Sequence, residues 1–177
     1  MAAYVVYCLG SMDNRRPETS PFRVLFVCTG NTCRSPMAEG IARRRVSELG
    51  WTGVDIRSAG VGAFPQAPPS GGARRVSAAH GLDLSNHSAS LLTAEEVDWA
   101  DLILTMSPGH LMRVVDLGGG DRAALLSLFA LGEMGPDASA SIPDPIGGPD
   151  EEYEATYQLL EELIDRVMDR LAPVVAP

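Results

Sequence analysis

Apolar residues fall into two patterns along this chain, short segments that are mostly apolar or alternate with polar residues, and longer stretches in which apolar residues recur every three or four positions. The short segments predict strands, and the periodic stretches predict helices with one apolar face. The predicted strands span 22–28, 54–58, 102–106 and 123–129. The predicted helices span 36–49, 70–80, 93–99, 107–117 and 151–171. Because strands and helices alternate, the pattern favours a parallel sheet with helices on both faces.

Length and composition indicate one globular domain. A chain of 177 residues with 45% apolar and 21% charged residues can bury a sizeable core. We assign this domain to 22–172 and expect a tail over 173–177. Residues 1–21 form an extension that we expect to be mobile or loosely docked. The strand-like composition of 4–7 leaves an added strand as an alternative, and Met12 is an alternative start.

The net charge limits the partners that this protein can bind. A charge of -9 and an isoelectric point near 4.7 argue against nucleic acid and against an anionic membrane surface. The apolar start of the chain is too short to span a bilayer and lacks a basic n-region, so we expect a cytoplasmic protein. The 3 histidines lack ligand spacing, and we expect no metal and no other cofactor. We also expect a monomer.

The segment between the first predicted strand and the first predicted helix carries a nucleophile beside anion-binding groups. It begins at Cys28 and reaches Arg34 and Ser35. A loop that enters a helix N-terminus directs several backbone N–H groups at one point, which suits a phosphate dianion. The same field favours a thiolate at Cys28, and Arg34 offers a planar fork for two phosphate oxygens. The expected phosphate-binding residues are Thr29, Gly30, Asn31, Thr32, Cys33, Arg34 and Ser35.

The alternative is a buried cysteine that merely ends a strand beside a surface arginine. However, the run from Cys28 to Ser35 resembles the C-x5-R-[S/T] signature loop of the low-molecular-weight protein phosphatases. Ser58-Ala59-Gly60, 83–87 and Asp144-Pro145 follow in that family's order. The resemblance covers about 22–171. It implies a three-layer α/β/α fold with a four-stranded parallel sheet of flavodoxin-like topology.

The resemblance also implies roles for individual side chains. Cys28 would form a phosphocysteine intermediate, and the hydroxyl of Ser35 would donate to its sulfur. Asn31, at a loop position where a left-handed backbone is expected, would be held by a polar network. The residues that match its partners in the family are Ser35, Ser58 and His87.

Asp144 is the expected general acid. Displacement at phosphorus by a thiolate requires a proton for the leaving group, and a carboxylic acid on another loop can supply it. Prolines flank Asp144 on both sides and two glycines follow, which gives its loop a defined shape. The resemblance implies that Asp144 first protonates the leaving atom and then activates the water that releases phosphate. The alternative is an Asp-Pro turn with a local hydrogen-bonding role.

Two departures from the phosphotyrosine pattern bear on the substrate, which we expect to be a phosphorylated protein or peptide. Thr32 stands where phosphotyrosine enzymes of the family usually carry Ile or Leu, and Ile146 stands where they usually carry Tyr. Both features resemble the bacterial protein-arginine phosphatases, and a carboxylate at Asp144 can hold a guanidinium. We therefore expect phosphoarginine as the substrate, with phosphotyrosine as the alternative. Phe64 is a candidate aromatic rim.

Cys33 is the second thiol of the loop. Family members with such a cysteine can form a reversible disulfide that protects the nucleophile, and the alternative is an inert thiol in a reducing cytosol. Arsenate reduction is a rival activity on the same fold, but it requires further cysteines, and none follows Cys33. A phosphate-binding module with a decayed site is the non-enzymatic rival. The presence of Cys28, Arg34 and Asp144 argues against it.

Overall fold

The computed structural model of the protein describes residues 20–132 and 140–175. Most of the 1–21 extension and the end of the 173–177 tail lie outside these ranges. Within them, one sheet of four parallel strands has the order β2-β1-β3-β4. The strands are β1 Phe22–Cys28, β2 Val54–Gly60, β3 Leu102–Thr105 and β4 Ala123–Leu125. The helices are α1 Arg34–Glu48, α2 Gly71–Ala79, α3 Ala94–Trp99, α4 Pro108–Asp116, α5 Leu126–Leu131 and α6 Asp150–Val175.

Helices cover the sheet on both faces, which confirms the predicted three-layer α/β/α architecture. Alternate residues of β1 enter two separate apolar clusters because successive side chains of a strand point to opposite faces. Val24 and Phe26 pack with residues of α1, α2, α5 and α6. Leu25 and Val27 pack with residues of α3 and α4. Burial on both faces explains why β1 is apolar at every position except Arg23.

The prediction of a fourth strand over 123–129 is wrong beyond Leu125. The chain enters α5 at the next residue, and this helix ends at Gly132, which has a left-handed φ of 71°. A short apolar run fits a buried strand and a buried helix equally well, so periodicity alone could not separate them. In the folded protein Leu126, Phe129 and Ala130 are buried. Their i, i+3, i+4 spacing is that of one helix face.

Two helix boundaries also differ from the sequence prediction. Helix α1 begins at Arg34, two residues before the predicted start, so that Arg34 and Ser35 belong to its first turn. Helix α6 continues to Val175 and includes Pro173, whereas the prediction ended at 171 and assigned 173–177 to a tail. The apolar spacing on which the prediction relied ends at Leu171, which is the last fully buried residue of this helix.

The carboxyl ends of the strands meet at one edge of the sheet. Cys28, the last residue of β1, pairs with Gly60 of β2, and Val27 pairs with Thr105 of β3. In open parallel sheets this edge is where ligands bind, since the loops that leave neighbouring strands converge there. The loop from Cys28 to α1 lies at this edge.

Candidate active site

The sulfur of Cys28 is buried and lies among hydrogen-bond donors. The side chain is 2% exposed. Its Sγ is 2.9 Å from the hydroxyl oxygen of Ser35, in the first turn of α1, and it accepts a hydrogen bond from the backbone N–H of Asn31 at 3.3 Å. A helix N-terminus adds a positive potential at the same place. A backbone N–H donor and a helix N-terminus are both suited to bind an anion at this position.

Asn31 holds the loop in shape from its centre. Its φ is +53°, in the left-handed region that asparagine tolerates better than most residues. Its side-chain amide donates to the hydroxyls of Ser35 at 2.9 Å and Ser58 at 2.8 Å, and its carbonyl oxygen accepts from the backbone N–H of Ser90 at 2.8 Å. Every polar atom of this buried amide side chain is therefore paired with another segment of the fold.

His87 and Glu39 extend the hydrogen-bond network that holds Asn31. His87 Nε2 donates to the backbone carbonyl of Asn31 at 2.8 Å. The hydroxyl of Ser58 donates to the Glu39 carboxylate at 2.6 Å, and Arg43 pairs with the same carboxylate at 2.8 Å. The sequence had singled out Ser58 and His87 but not Glu39. Glu39 lies on α1, and its contact with Ser58 is apparent only in the folded protein, where α1 packs against β2.

Gly60 allows β2 to approach the loop closely. A Cβ at this position would lie 2.5 Å from the carbonyl oxygen of Thr29 and 2.8 Å from the backbone nitrogen of Asn31. Both contacts are shorter than real side chains tolerate, so only glycine fits. The backbone N–H groups of Val61 and Gly62 also donate to the carbonyls of Cys28 and Thr29, at 3.0 and 2.9 Å. The loop is thus anchored through its backbone as well as through Asn31.

Arg34 lies across the site with its guanidinium shared among three partners. One terminal nitrogen donates to the backbone carbonyl of Ile142 at 3.2 Å. The other donates to the hydroxyl of Thr29 at 3.4 Å and to the carboxylate of Asp144. The residue is 5% exposed, and its Nε is buried without a hydrogen-bond partner among the described residues. An unpaired buried N–H of a cation is costly, and an anion in the loop would be a suitable partner.

Asp144 is brought to the site by the loop that precedes α6. The backbone N–H of Ile142 donates to the carbonyl of Met106 at 2.9 Å, which attaches this loop to the end of β3. The Asp144 side chain is 39% exposed. One of its oxygens pairs with Arg34, and the other accepts from the backbone N–H of Ile146 at 3.3 Å. The carboxylate therefore faces both the arginine and the solvent.

His110 belongs to the site although the sequence pattern assigned it no role. Its Nε2 is 2.9 Å from the hydroxyl of Thr29, and its Nδ1 is 2.9 Å from the hydroxyl of Ser107. Burial, assisted by the nearby charge of Arg34 and opposed by Asp144, lowers the pKa of the ring from 6.5 to about 4. One signal was available: Ser107-Pro108 starts a helix directly after β3, so His110 lies at the same sheet edge as the loop.

Acidification is expected to destabilise the protein through His110. Because its folded pKa is about 4, the unfolded chain binds a proton between pH 6.5 and 4 that the folded chain excludes. The free energy of unfolding therefore rises with pH in this window, and its loss on acidification is about 3 kcal/mol for this group. Denaturant titrations near pH 7 and near pH 4 should show a smaller loss in His110→Gln than in the parent protein. Equal losses would contradict a buried neutral ring.

Cys33 is the second buried thiol of the loop. Its Sγ donates to the hydroxyl of Ser70 at 3.0 Å and lies 3.8 Å from the hydroxyl of Tyr153. The backbone N–H of Ser70, the N-cap of α2, donates to the carbonyl of Thr32 at 2.8 Å. Cys33 and Cys28 are both free thiols. A regulatory disulfide between them stays a prediction.

The expected substrate rim lies on three separate loops. Thr32 is half-buried in the signature loop, and Gly30 lies next to it, where a Cβ would be 3.4 Å from the Thr32 hydroxyl. Phe64 follows β2 and is 82% exposed, and Ile146 follows Asp144 and is 58% exposed. Ile146 therefore lies two residues from Asp144 in the chain, and Phe64 lies two residues beyond Gly62, whose N–H donates to Thr29 of the signature loop.

Within 20–132 and 140–175, no group of three or more His, Cys, Asp and Glu side chains is arranged to hold a metal ion. The helices in these ranges include none with the length and apolar character needed to cross a membrane.

Comparison with known proteins places these residues in a family. Residues 23–175 match the model of the low molecular weight phosphotyrosine protein phosphatases. The protein-arginine-phosphatase of Geobacillus stearothermophilus is 39% identical, with 85% of this chain and 97% of that protein covered. The corresponding protein of Bacillus subtilis is 36% identical, over 84% and 95% of the two chains. The low molecular weight protein-tyrosine-phosphatase Etp of Escherichia coli is 34% identical, over 84% and 94%.

Solved structures of related proteins have the same fold as this chain. The YwlE arginine phosphatase from G. stearothermophilus superposes with a TM-score of 0.77 at 39% identity, covering 86% of this chain and 94% of that one. The low molecular weight protein tyrosine phosphatase from T. tengcongensis gives 0.77 at 38% identity, covering 85% and 99%. A cysteine-to-serine YwlE mutant with a phosphorylated active site serine gives 0.79 at 33% identity, covering 86% and 97%. The chain therefore belongs to the low molecular weight phosphotyrosine protein phosphatase family.

Proposed function

We propose that this protein is a metal-independent protein phosphatase that transfers the phosphoryl group of phosphoarginine to Cys28 and then to water. One observation carries the proposal: a buried cysteine sulfur, a buried arginine with an unpaired N–H and a half-exposed carboxylate converge on one loop. Together they supply a nucleophile, an anion site and a proton donor. The names of the related enzymes support the same chemistry.

In the first step the sulfur of Cys28 attacks phosphorus from the side opposite the leaving group. The S–P bond forms as the P–N bond to the guanidino nitrogen breaks. Asp144, entering this step as the acid, gives its proton to the departing nitrogen. Arg34 and the loop N–H groups hold the equatorial oxygens, where the negative charge is spread.

In the second step water releases the phosphate. Asp144, now a carboxylate, takes a proton from the water that attacks phosphorus, and the S–P bond breaks. The electron pair returns to the Cys28 sulfur. Ser35 and the Asn31 N–H stabilise the departing thiolate from 2.9 and 3.3 Å. The same contacts that favour the nucleophile therefore make it a good leaving group.

We expect the phosphoryl group of the substrate to replace Asp144 as a partner of Arg34. A phosphoryl dianion offers Arg34 two charged oxygens and competes with the single carboxylate. Once Arg34 donates to the dianion in place of Asp144, the carboxyl group of Asp144 is released toward the leaving group. It stays within reach because Ile146 and the Ile142–Met106 hydrogen bond hold its loop.

The preference for phosphoarginine is supported by the residues around the opening. Ile146 provides no aromatic wall against a phenyl ring, and Thr32 adds a β-branched polar wall. Turnover of matched phosphopeptides that carry phosphoarginine or phosphotyrosine is the direct experiment. Faster turnover of phosphoarginine is expected. Turnover of phosphoarginine that is no faster would favour protein-tyrosine phosphatase activity, which the names of other relatives support.

Replacing Thr32 with isoleucine is expected to shift the ratio of phosphoarginine to phosphotyrosine turnover toward phosphotyrosine by roughly tenfold, the effect of a changed pocket wall. Isoleucine keeps the β-branch, removes the hydroxyl and extends the apolar wall. Thr32→Val is the matched control because it removes only the hydroxyl. Parallel kcat/KM measurements on both peptides give the ratio. An unchanged ratio in Thr32→Ile would contradict a role for this residue in selecting the substrate.

We further propose that the protein works as a monomer in the cytoplasm. The two thiols of the loop are both free, and a reducing compartment keeps them so. Arsenate reduction is not favoured because that chemistry passes oxidation along further cysteines, and none follows Cys33. Sedimentation velocity measures the oligomeric state, and a dimer would contradict this part of the proposal.

A further inference from the structure

The hydroxyl of Thr29 lies between the arginine of the site and a buried histidine. Its oxygen is 3.4 Å from a terminal nitrogen of Arg34 and 2.9 Å from Nε2 of His110. A guanidinium can only donate, so the Thr29 oxygen accepts from Arg34. The Thr29 hydroxyl proton is then free to be donated to His110.

Donation from Thr29 to Nε2 would set the tautomer of the imidazole ring. If Nε2 accepts from Thr29, the ring proton is on Nδ1, which donates to the hydroxyl of Ser107 at 2.9 Å. The Ser107 oxygen can accept again, and it caps α4 by accepting from the backbone N–H of His110 at 3.4 Å. Arg34, Thr29, His110 and Ser107 thus form one chain in which each group donates to the next.

We propose that His110 is a positioning residue of this phosphatase: its neutral ring holds the Thr29 hydroxyl, which holds one terminal nitrogen of Arg34. The inference rests on the proposed function and adds a residue to it. This role fixes the orientation of the Arg34 guanidinium plane. The terminal nitrogens of Arg34 donate to Thr29 and to the carbonyl of Ile142. These hydrogen bonds orient the plane before substrate arrives, and the unpaired Nε remains available to a phosphate oxygen.

The electrostatics of the site favour a ring that stays neutral. The charged groups that act on His110 are Arg34 and Asp144, of opposite sign, and burial outweighs both, so that its pKa is about 4. A protonated ring would donate from both nitrogens. Thr29 would then accept from two cations, and the chain of donation would be broken. The proposed positioning role therefore uses the neutral ring with its proton on Nδ1.

The test uses the full chain, p-nitrophenyl phosphate as substrate and inorganic phosphate as a competitive inhibitor. Thr29→Val removes the hydroxyl from an exposed position and keeps the shape. Thr29→Val and His110→Gln are each expected to lower kcat/KM and weaken phosphate inhibition by about tenfold, the value of one hydrogen bond to a charged group. Thr29→Ser should retain the activity, and His80→Gln, a histidine paired with Glu154 on α6, should be unchanged.

The double variant separates positioning from mere packing. If His110 acts through Thr29, Thr29→Val combined with His110→Gln should lose no more than the worse single variant. Additive losses would overturn the inference, and so would full activity in Thr29→Val. In the parent protein, nitrogen-15 correlation spectra of the imidazole should show the proton on Nδ1, and a proton on Nε2 would also overturn it. A parent protein that fails to hydrolyse the aryl phosphate would contradict the proposed function itself.

Discussion

Cys28→Ser is expected to lower the turnover of phosphoarginine and of p-nitrophenyl phosphate by roughly 10⁴-fold or more, as removal of a nucleophile does. A serine hydroxyl at neutral pH is a far weaker nucleophile than a thiolate, and the proposed mechanism uses the thiolate of Cys28 next to Ser35 and the N–H of Asn31. The fold should persist, since the two side chains differ by one atom. Turnover, the melting temperature and phosphate affinity measured on the same sample check this result.

Cys33→Ser is the matched control for the nucleophile. It makes the same substitution in the same loop, but on a thiol that donates to Ser70 and faces Tyr153. A serine hydroxyl can keep the contact with Ser70, so turnover should fall by less than about tenfold. If Cys28→Ser kept most of the activity, or if Cys33→Ser lost as much, the phosphocysteine mechanism would be contradicted.

The core of the site was predictable because its signals are local. A buried strand, a short loop and a helix follow one another within 22–49, and this order alone directs N–H groups at the loop. Asn31 was expected to be left-handed and has a φ of +53°. Asp144 lies far away in sequence, but the prolines and glycines around it marked a shaped loop, and the structure brings it to Arg34.

The contacts that sequence reasoning missed depend on how distant segments pack. His110 approaches Thr29 because β3 lies beside β1 and α4 starts at the end of β3. Glu39 meets Ser58 because α1 packs over β2. Neither contact can be predicted from the periodicity of apolar residues or from the spacing of a motif in the sequence. The prediction of the fourth strand failed for another reason: residues 123–129 are apolar apart from Ser127, and only the packing decides where the strand ends and the helix begins.

Asp144→Asn should separate the proton-transfer role from the structural one. Asparagine keeps the size and can still accept from the N–H of Ile146, but it cannot supply a proton. The loss in kcat is expected to be about 10²- to 10⁴-fold for phosphoarginine, whose leaving nitrogen must be protonated. For p-nitrophenyl phosphate, whose leaving group departs as an anion, the first step should be affected much less. Burst-phase kinetics on the aryl phosphate then reports the second step, because the phosphoenzyme accumulates when Asp144 no longer activates water.

Asp83→Asn is the control for this experiment. Like Asp144, Asp83 accepts a hydrogen bond from the backbone N–H two residues further on, that of Ser85 at 2.8 Å. It lies in an exposed turn after α2 and has no contact with Arg34. Its substitution should leave turnover of both substrates unchanged. If Asp144→Asn lost the same factor on the aryl phosphate as on phosphoarginine and showed no burst, Asp144 would be holding the loop or Arg34 and not moving a proton.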